Sequence, residues 1–158
     1  NHLGIGKSVL YKHPFSPHYP GGEALGLVDG KRGTINHHDG LWQGFARNDI
    51  EVVIDLDSLT SIKKLGISFL QNQGAWIFFP KNVRFEVSVD GTDYKLVQNK
   101  EYEVTKSPEI LFRNVNANYD GNPIRYIKVT ARNQPILPSW HPAQGNAAWL
   151  FADEVVIQ

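Results

Sequence analysis

Apolar residues recur at every second position along most of this chain. Val83, Phe85, Val87 and Val89 alternate with Arg84, Glu86 and Ser88, and then comes Asp90-Gly91. That pair supplies the positive backbone angles of a tight hairpin, so Tyr94–Val97 is the returning strand. Ile50, Val52, Ile54 and Leu56 alternate with mostly charged neighbours up to Asp57-Ser58, and Leu65, Ile67 and Phe69 form another face. Further strands are predicted at Ile110–Val115, Arg125–Ala131 and Trp149–Ile157, with a weaker one at Ser8–Lys12. No long stretch keeps the 3.6-residue period of an amphipathic helix. Short, numerous strands of period two predict an all-β protein, a sandwich.

The connections are uneven. The hairpin at Asp90 reads as minimal, whereas 13–22, 33–48, 71–81 and 132–148 are long and rich in glycine, proline and aromatic residues. Long ordered loops on a rigid β scaffold usually carry function. No repeat, low-complexity tract or linker divides the chain, so residues 1–158 are expected to be one domain.

Composition narrows the function classes. Lysine plus arginine and aspartate plus glutamate number 16 each, so the basic excess that displaces counterions from nucleic acid is missing. No apolar run reaches the length of a membrane span. There is no cysteine, hence no disulfide and no thiol nucleophile. Asn1 at the start and the absence of methionine lead us to expect a piece of a longer protein, whose export signal would lie elsewhere. Gly4-Ile5-Gly6-Lys7-Ser8 imitates the end of a phosphate loop but has Asn1 where the leading glycine belongs. His37-His38-Asp39 has ligand-type side chains, yet neighbours on an extended chain point to opposite sides, so a surface loop is the simpler expectation.

A more specific pattern is Leu27–Thr34 with its Asp29-Gly30, followed by Trp42-Gln43-Gly44-Phe45, then EVVIDLDSLTSIKKLGI, VRFEVSVDGTDYKLV, IRYIKVTARN and the closing FADEVVI. In this order and spacing the chain resembles the coagulation factor 5/8 type C, or discoidin-like, domains, which include the family 32 carbohydrate-binding modules. More narrowly, Asp29-Gly30, WQGF and FLQNQGAWIFFP look like the module appended to family 20 β-N-acetylhexosaminidases, the chitobiases.

The resemblance implies an antiparallel, jelly-roll-like β-sandwich and a structural calcium ion near the chain termini. The matching positions are the Asp29 and Glu154 carboxylates, the hydroxyl and carbonyl of Thr34, and backbone oxygens of Gly26, Lys31 and Asp153. That is the number of hard oxygen ligands calcium prefers. The resemblance also places ligands on the loops at one end, here 13–22, 36–47, 71–81 and 133–147. A sugar site needs a flat aromatic face and planar amides or imidazoles. Gln71, Asn72, Gln73 and Trp76 supply both, His37 and His38 can approach from the next loop, and Trp140 or Tyr19 can form a second wall. Trp42 is expected in the core, and Phe78 or Phe79 as a plug. The arginine of galactose-binding members is replaced by Gln71-Asn72, which speaks against galactose.

The implied function is a non-catalytic carbohydrate-binding module that holds the attached catalytic domain of the same chain, a glycosidase, near its mono- or oligosaccharide target. The implied location is secreted, periplasmic or outer cell surface. The alternative is a structural domain that packs on its catalytic neighbour without binding sugar. Membrane adhesion would need a basic cluster beside Arg47 and Lys81, and the chain has none.

Overall fold

Every strand pair in the computed structural model, which describes residues 1–158, is antiparallel. In chain order the strands are β1 (Ser8–Tyr11), β2 (Gln43–Ala46), β3 (Ile50–Thr60), β4 (Lys64–Gln71), β5 (Asn82–Ser88), β6 (Lys95–Glu101), β7 (Leu111–Asn118), β8 (Ile124–Ala131) and β9 (Trp149–Ile157). They form a five-stranded sheet, β1-β3-β8-β5-β6, and a four-stranded sheet, β2-β9-β4-β7. The fold is the all-β sandwich that the alternation predicts.

One core lies between the sheets. β3 turns Ile50, Val52, Ile54 and Leu56 inward and β5 turns Val83, Phe85 and Val87, against Leu65, Ile67 and Phe69 of β4. Each such side chain contributes about 1.5–3 kcal/mol when removed from water, so this layer holds the sheets together. β9 is buried along nearly its whole length, and its phase changes midway. Phe69 pairs with Ala152 but Ile67 pairs with Val155, so Asp153 and Glu154 together oppose Ser68 in a bulge. Leu150 and Ala152 before the bulge and Val155 and Ile157 after it all face the core.

Three details differ from the sequence expectations. β2, missed inside the 33–48 loop, is a short edge strand on β9. The β5–β6 hairpin is six residues long, not minimal: the Asp90 carboxylate accepts the Thr92 and Asp93 N–H groups at 2.9 Å each, with Gly91 at φ 80°. β3 and β4 run on to Thr60 and Gln71. Residues 16–20 and 36–41 and the β4–β5 and β8–β9 connections gather at one end, fastened by Asn133, whose side-chain amide donates to the Phe45 carbonyl at 3.0 Å.

Candidate functional site

The β4–β5 connection closes on itself. Asn72 and Ile77 exchange backbone hydrogen bonds of 2.9 and 3.0 Å around a 3-10 turn, Gln73–Ala75. The chain leaves that turn through Trp76 at φ 70°, a left-handed angle that bulky residues avoid. The Trp76 carbonyl accepts the Trp149 N–H at 2.8 Å, and the Trp149 carbonyl accepts the Phe78 N–H at 2.9 Å. The turn is thereby zipped to the start of β9. Phe78, Leu137 and Ala148 form a buried plug, with Trp76 partly buried against it. Trp140, 36 % exposed, lies with its ring 6.0 Å from that of Phe78. His141 pins the two loops: its Nδ1 accepts the Ala143 N–H, so its Nε2 donates to the Gln73 carbonyl at 2.7 Å.

A second aromatic group lies beside the first, linked to it through the backbone of Trp149. The Tyr19 ring lies 5.3 Å from Trp149, 6.2 Å from His37 and 5.8 Å from His38. Gly44 makes room for it, since a Cβ there would stand 2.9 Å from the Tyr19 Cβ. The two histidine rings are 3.9 Å apart on the same side, contrary to the expectation of opposite directions. The reason is that 34–41 is not extended. One Asp39 oxygen accepts the Thr34 N–H and hydroxyl at 2.7 Å each, the other accepts the Leu41 N–H at 2.8 Å, and the segment curls. Burial, with His38 beside it, lowers the pKa of His37. A neutral imidazole offers one donor and one acceptor, the pairing a sugar hydroxyl uses.

An acidic site lies away from these loops. Glu154 is buried; its Oε2 accepts the Gly30 N–H and the His2 Nε2–H, both at 2.7 Å, while Oε1 has no partner. Burial, opposed by the Gly30 N–H and reinforced by the Asp29 carboxylate beside it, pushes Glu154 up to about 8. Two neighbouring carboxylates with an unpartnered buried oxygen are a set of hard oxygen donors of the kind calcium takes, but no group of three or more histidine or carboxylate side chains that could hold a metal ion is assembled, so backbone oxygens would have to supply most of its shell. Thr34 stands apart from that set: its hydroxyl serves Asp39 and its carbonyl accepts the Trp42 indole N–H at 2.8 Å. The Asp153 carboxylate faces the other way, toward Arg32 and the Gly33 N–H. Gly26 is buried in the 3-10 turn Glu23–Val28, and Lys31 donates its N–H to Asp29.

The sequence pattern of the F5/8 type C domain matches residues 13–150. The chain belongs to the F5/8 type C domain family. No curated protein sequence matches it. Among solved structures it is similar to the Clostridium perfringens module CpGH89CBM32-4 in complex with glcNAc-alpha-1,4-galactose: 14 % identity over 100 % of this chain and 94 % of that one, TM-score 0.62. CpGH89CBM32-5 of the same organism, in complex with GalNAc-beta-1,3-galactose, gives 16 % identity, 99 % of both chains and TM-score 0.60. The C-terminal domain of a chitobiase from Bacteroides fragilis gives 18 % identity, 100 % of this chain and 97 % of that one, TM-score 0.51. The fold is therefore that of carbohydrate-binding modules, which are typically non-catalytic.

Within this F5/8 type C domain the six proposed sugar-contact residues separate. His37 and His38 join Tyr19 and Trp149, while Trp76 and Trp140 flank the plug. Asn72 is partly buried and caps its own turn, accepting the Ala75 N–H at 3.3 Å. Gln71 is buried, and its side-chain oxygen accepts the Phe79 N–H, so it is scaffold and not a ligand group. Gln73 is likewise buried, stapling its loop to Thr105 and Ser107. Both Phe78 and Phe79 are buried. Sequence reasoning missed Trp149, whose ring packs on Tyr19 and whose backbone ties β9 to the Trp76–Phe78 segment. Its position at the mouth of β9, alternating with buried Leu150, was the available signal.

Proposed function

We propose that this domain binds a mono- or oligosaccharide at the loop end and so tethers an attached glycoside hydrolase, of the β-N-acetylhexosaminidase type, to its glycan substrate outside the cell. The observation that carries this reading is the presence of two aromatic groups, Tyr19–His37–His38–Trp149 and Trp76 with Trp140 on the Phe78 plug, at one end of the sandwich and tied together through the Trp149 backbone. Flat rings meet the C–H face of a pyranose, and the neutral His37 and the Asn72 amide meet its hydroxyls. One shallow site immobilises few ligand atoms, so affinity is weak, in about the tens of micromolar to millimolar range. Tethering then acts through effective concentration. A glycan array probed with the multivalent domain tests this: binding to terminal hexosamine or galactosyl glycans, lost in His37→Ala and Trp76→Gly, is the expected result.

We also propose that a calcium ion stabilises the fold through the Asp29 and Glu154 carboxylates. The ion's contribution would be charge neutralisation. This chain's own part is to bring a loop carboxylate against the final strand and to leave one Glu154 oxygen without a donor.

A further inference from the structure

The outer face of the four-stranded sheet carries a polar groove well away from the loop-end walls. Phe112, Asn114 and Asn116 lie on alternate positions of β7, hence on one face, and pair with Leu70, Ser68 and Gly66 of β4. At about 3.4 Å per residue, these three β7 side chains span about 14 Å. Gly66 leaves the floor open, since a Cβ there would stand 2.6 Å from the Asn116 side-chain oxygen.

Arg32 lies across this face as a crossbar. Its Nε donates to Asp153 Oδ2 at 3.2 Å, and its Nη2 donates to Ser68 Oγ and, at 3.2 Å, to Asn114 Oδ1. On one side of it is a hollow of about 170 Å³ containing Gly66 and Asn116; on the other is one of about 230 Å³ containing Trp42, Phe112 and Asp153. Each is smaller than the ~300–1,000 Å³ of an enclosed small-ligand pocket, so the two form a shallow surface groove crossed by Arg32.

Two observations make this more than surface texture. Phe112 is 52 % exposed yet held flat, its ring stacked on buried Trp42 at 6.1 Å and 16°. Asp153, 2 % exposed at the edge of the second hollow, fixes the crossbar: its Oδ2 accepts the Arg32 Nε–H and, at 2.9 Å, the Gly33 N–H. Alternation from core-facing Ala152 turns Asp153 to this face, and the bulge then resets the phase so that Val155 and Ile157 face the core again while Glu154 serves the acidic site. The groove thus offers amides, a hydroxyl, a guanidinium whose charge Asp153 balances, and a flat apolar ring at one end.

We propose that this groove is a second carbohydrate site, which takes a neutral oligosaccharide lengthwise along β7 with a sugar ring on Phe112. Its chemistry is that of a chain rich in hydroxyls, and its length favours several residues over one. It stands independently of the loop-end reading, because no residue is shared.

The test is backbone amide chemical-shift mapping on the intact domain, with chitotriose, cellotriose and a galactotriose as probes beside their monosaccharides. At least one trisaccharide should shift the amides of 64–68 and 112–116 with saturation, and its monosaccharide should do so at least about tenfold more weakly. The double variant Phe112→Ala/Asn114→Ala should abolish those shifts and leave any at Trp76 and His37 in place. Trp76→Gly should do the reverse. Shifts confined to the loop end, no shift at 64–68 and 112–116 with any trisaccharide, or groove shifts that survive the double variant would overturn the proposal. Failure at the loop end alone would leave it standing.

Discussion

Trp76 is held in a left-handed backbone conformation by the closed 72–77 loop, and that invites a quantitative test. Its ring is partly buried against Phe78, Leu137 and Ala148. Truncating a fully buried tryptophan costs about 3–5 kcal/mol, so a partly buried one should cost about 2 kcal/mol. Both Trp76→Ala and Trp76→Gly lose that packing. They differ in the backbone: alanine keeps a left-handed penalty of about 1–2 kcal/mol, and glycine escapes it while adding about 0.4–1 kcal/mol of unfolded-state entropy. The balance leaves Trp76→Gly more stable than Trp76→Ala by about 1 kcal/mol. For a domain of this size that is about 2–4 °C in Tm. Urea unfolding of the two variants in parallel measures it directly. If the alanine variant is as stable as the glycine variant or more so, the loop does not impose the angle at φ 70°, and the reasoning fails.

Other outcomes follow from the same geometry. Phe78→Ala, which opens the buried plug, should destabilise by about 3–5 kcal/mol in thermal melts and also disorder the Trp76–Trp140 wall. Calcium at one hundred times its Kd should stabilise the domain by about 2.7 kcal/mol, about 5–10 °C. Calorimetry of Asp29→Asn should then show no response to calcium or chelator; an unchanged wild-type melt on chelation would remove the ion from the account. Sugar affinity should hold as pH falls to 6.5, the ordinary histidine value, and weaken only below it. His37, with His38 and Tyr19 against it and Asp39 nearby, titrates below 6.5 and then gains a charge while losing its acceptor. Weakening already above pH 7 in titrations would show that His37 is not the group involved.

The sandwich was legible because strands with one buried face write their orientation at every second residue, as Ile50–Leu56 and Val83–Val87 do. The bulge in β9 was not, since alternation turns Asp153 outward from Ala152 but no local signal shows the phase slipping afterwards so that Val155 and Ile157 also face the core. Gln71 looked like a ligand amide because sequence shows residue type, not the Phe79 N–H that occupies it. The histidine pair was misjudged for a related reason: the curl of 34–41 depends on Asp39 bonding back to Thr34, a contact set by loop closure and not by periodicity. The outer-face groove was invisible for want of strand register, which alone places Asn114 and Asn116 beside Ser68 and Gly66.

Tryptophan fluorescence titration with N-acetylglucosamine, N-acetylgalactosamine and galactose addresses the loop-end claim most directly, because Trp76, Trp140 and Trp149 all stand at that end. The account predicts a saturable change for at least one of these sugars, with Kd in about the tens of micromolar to millimolar range, abolished in Trp76→Gly and in His37→Ala. The absence of any saturable change at millimolar sugar, or an identical titration in both variants, would contradict it.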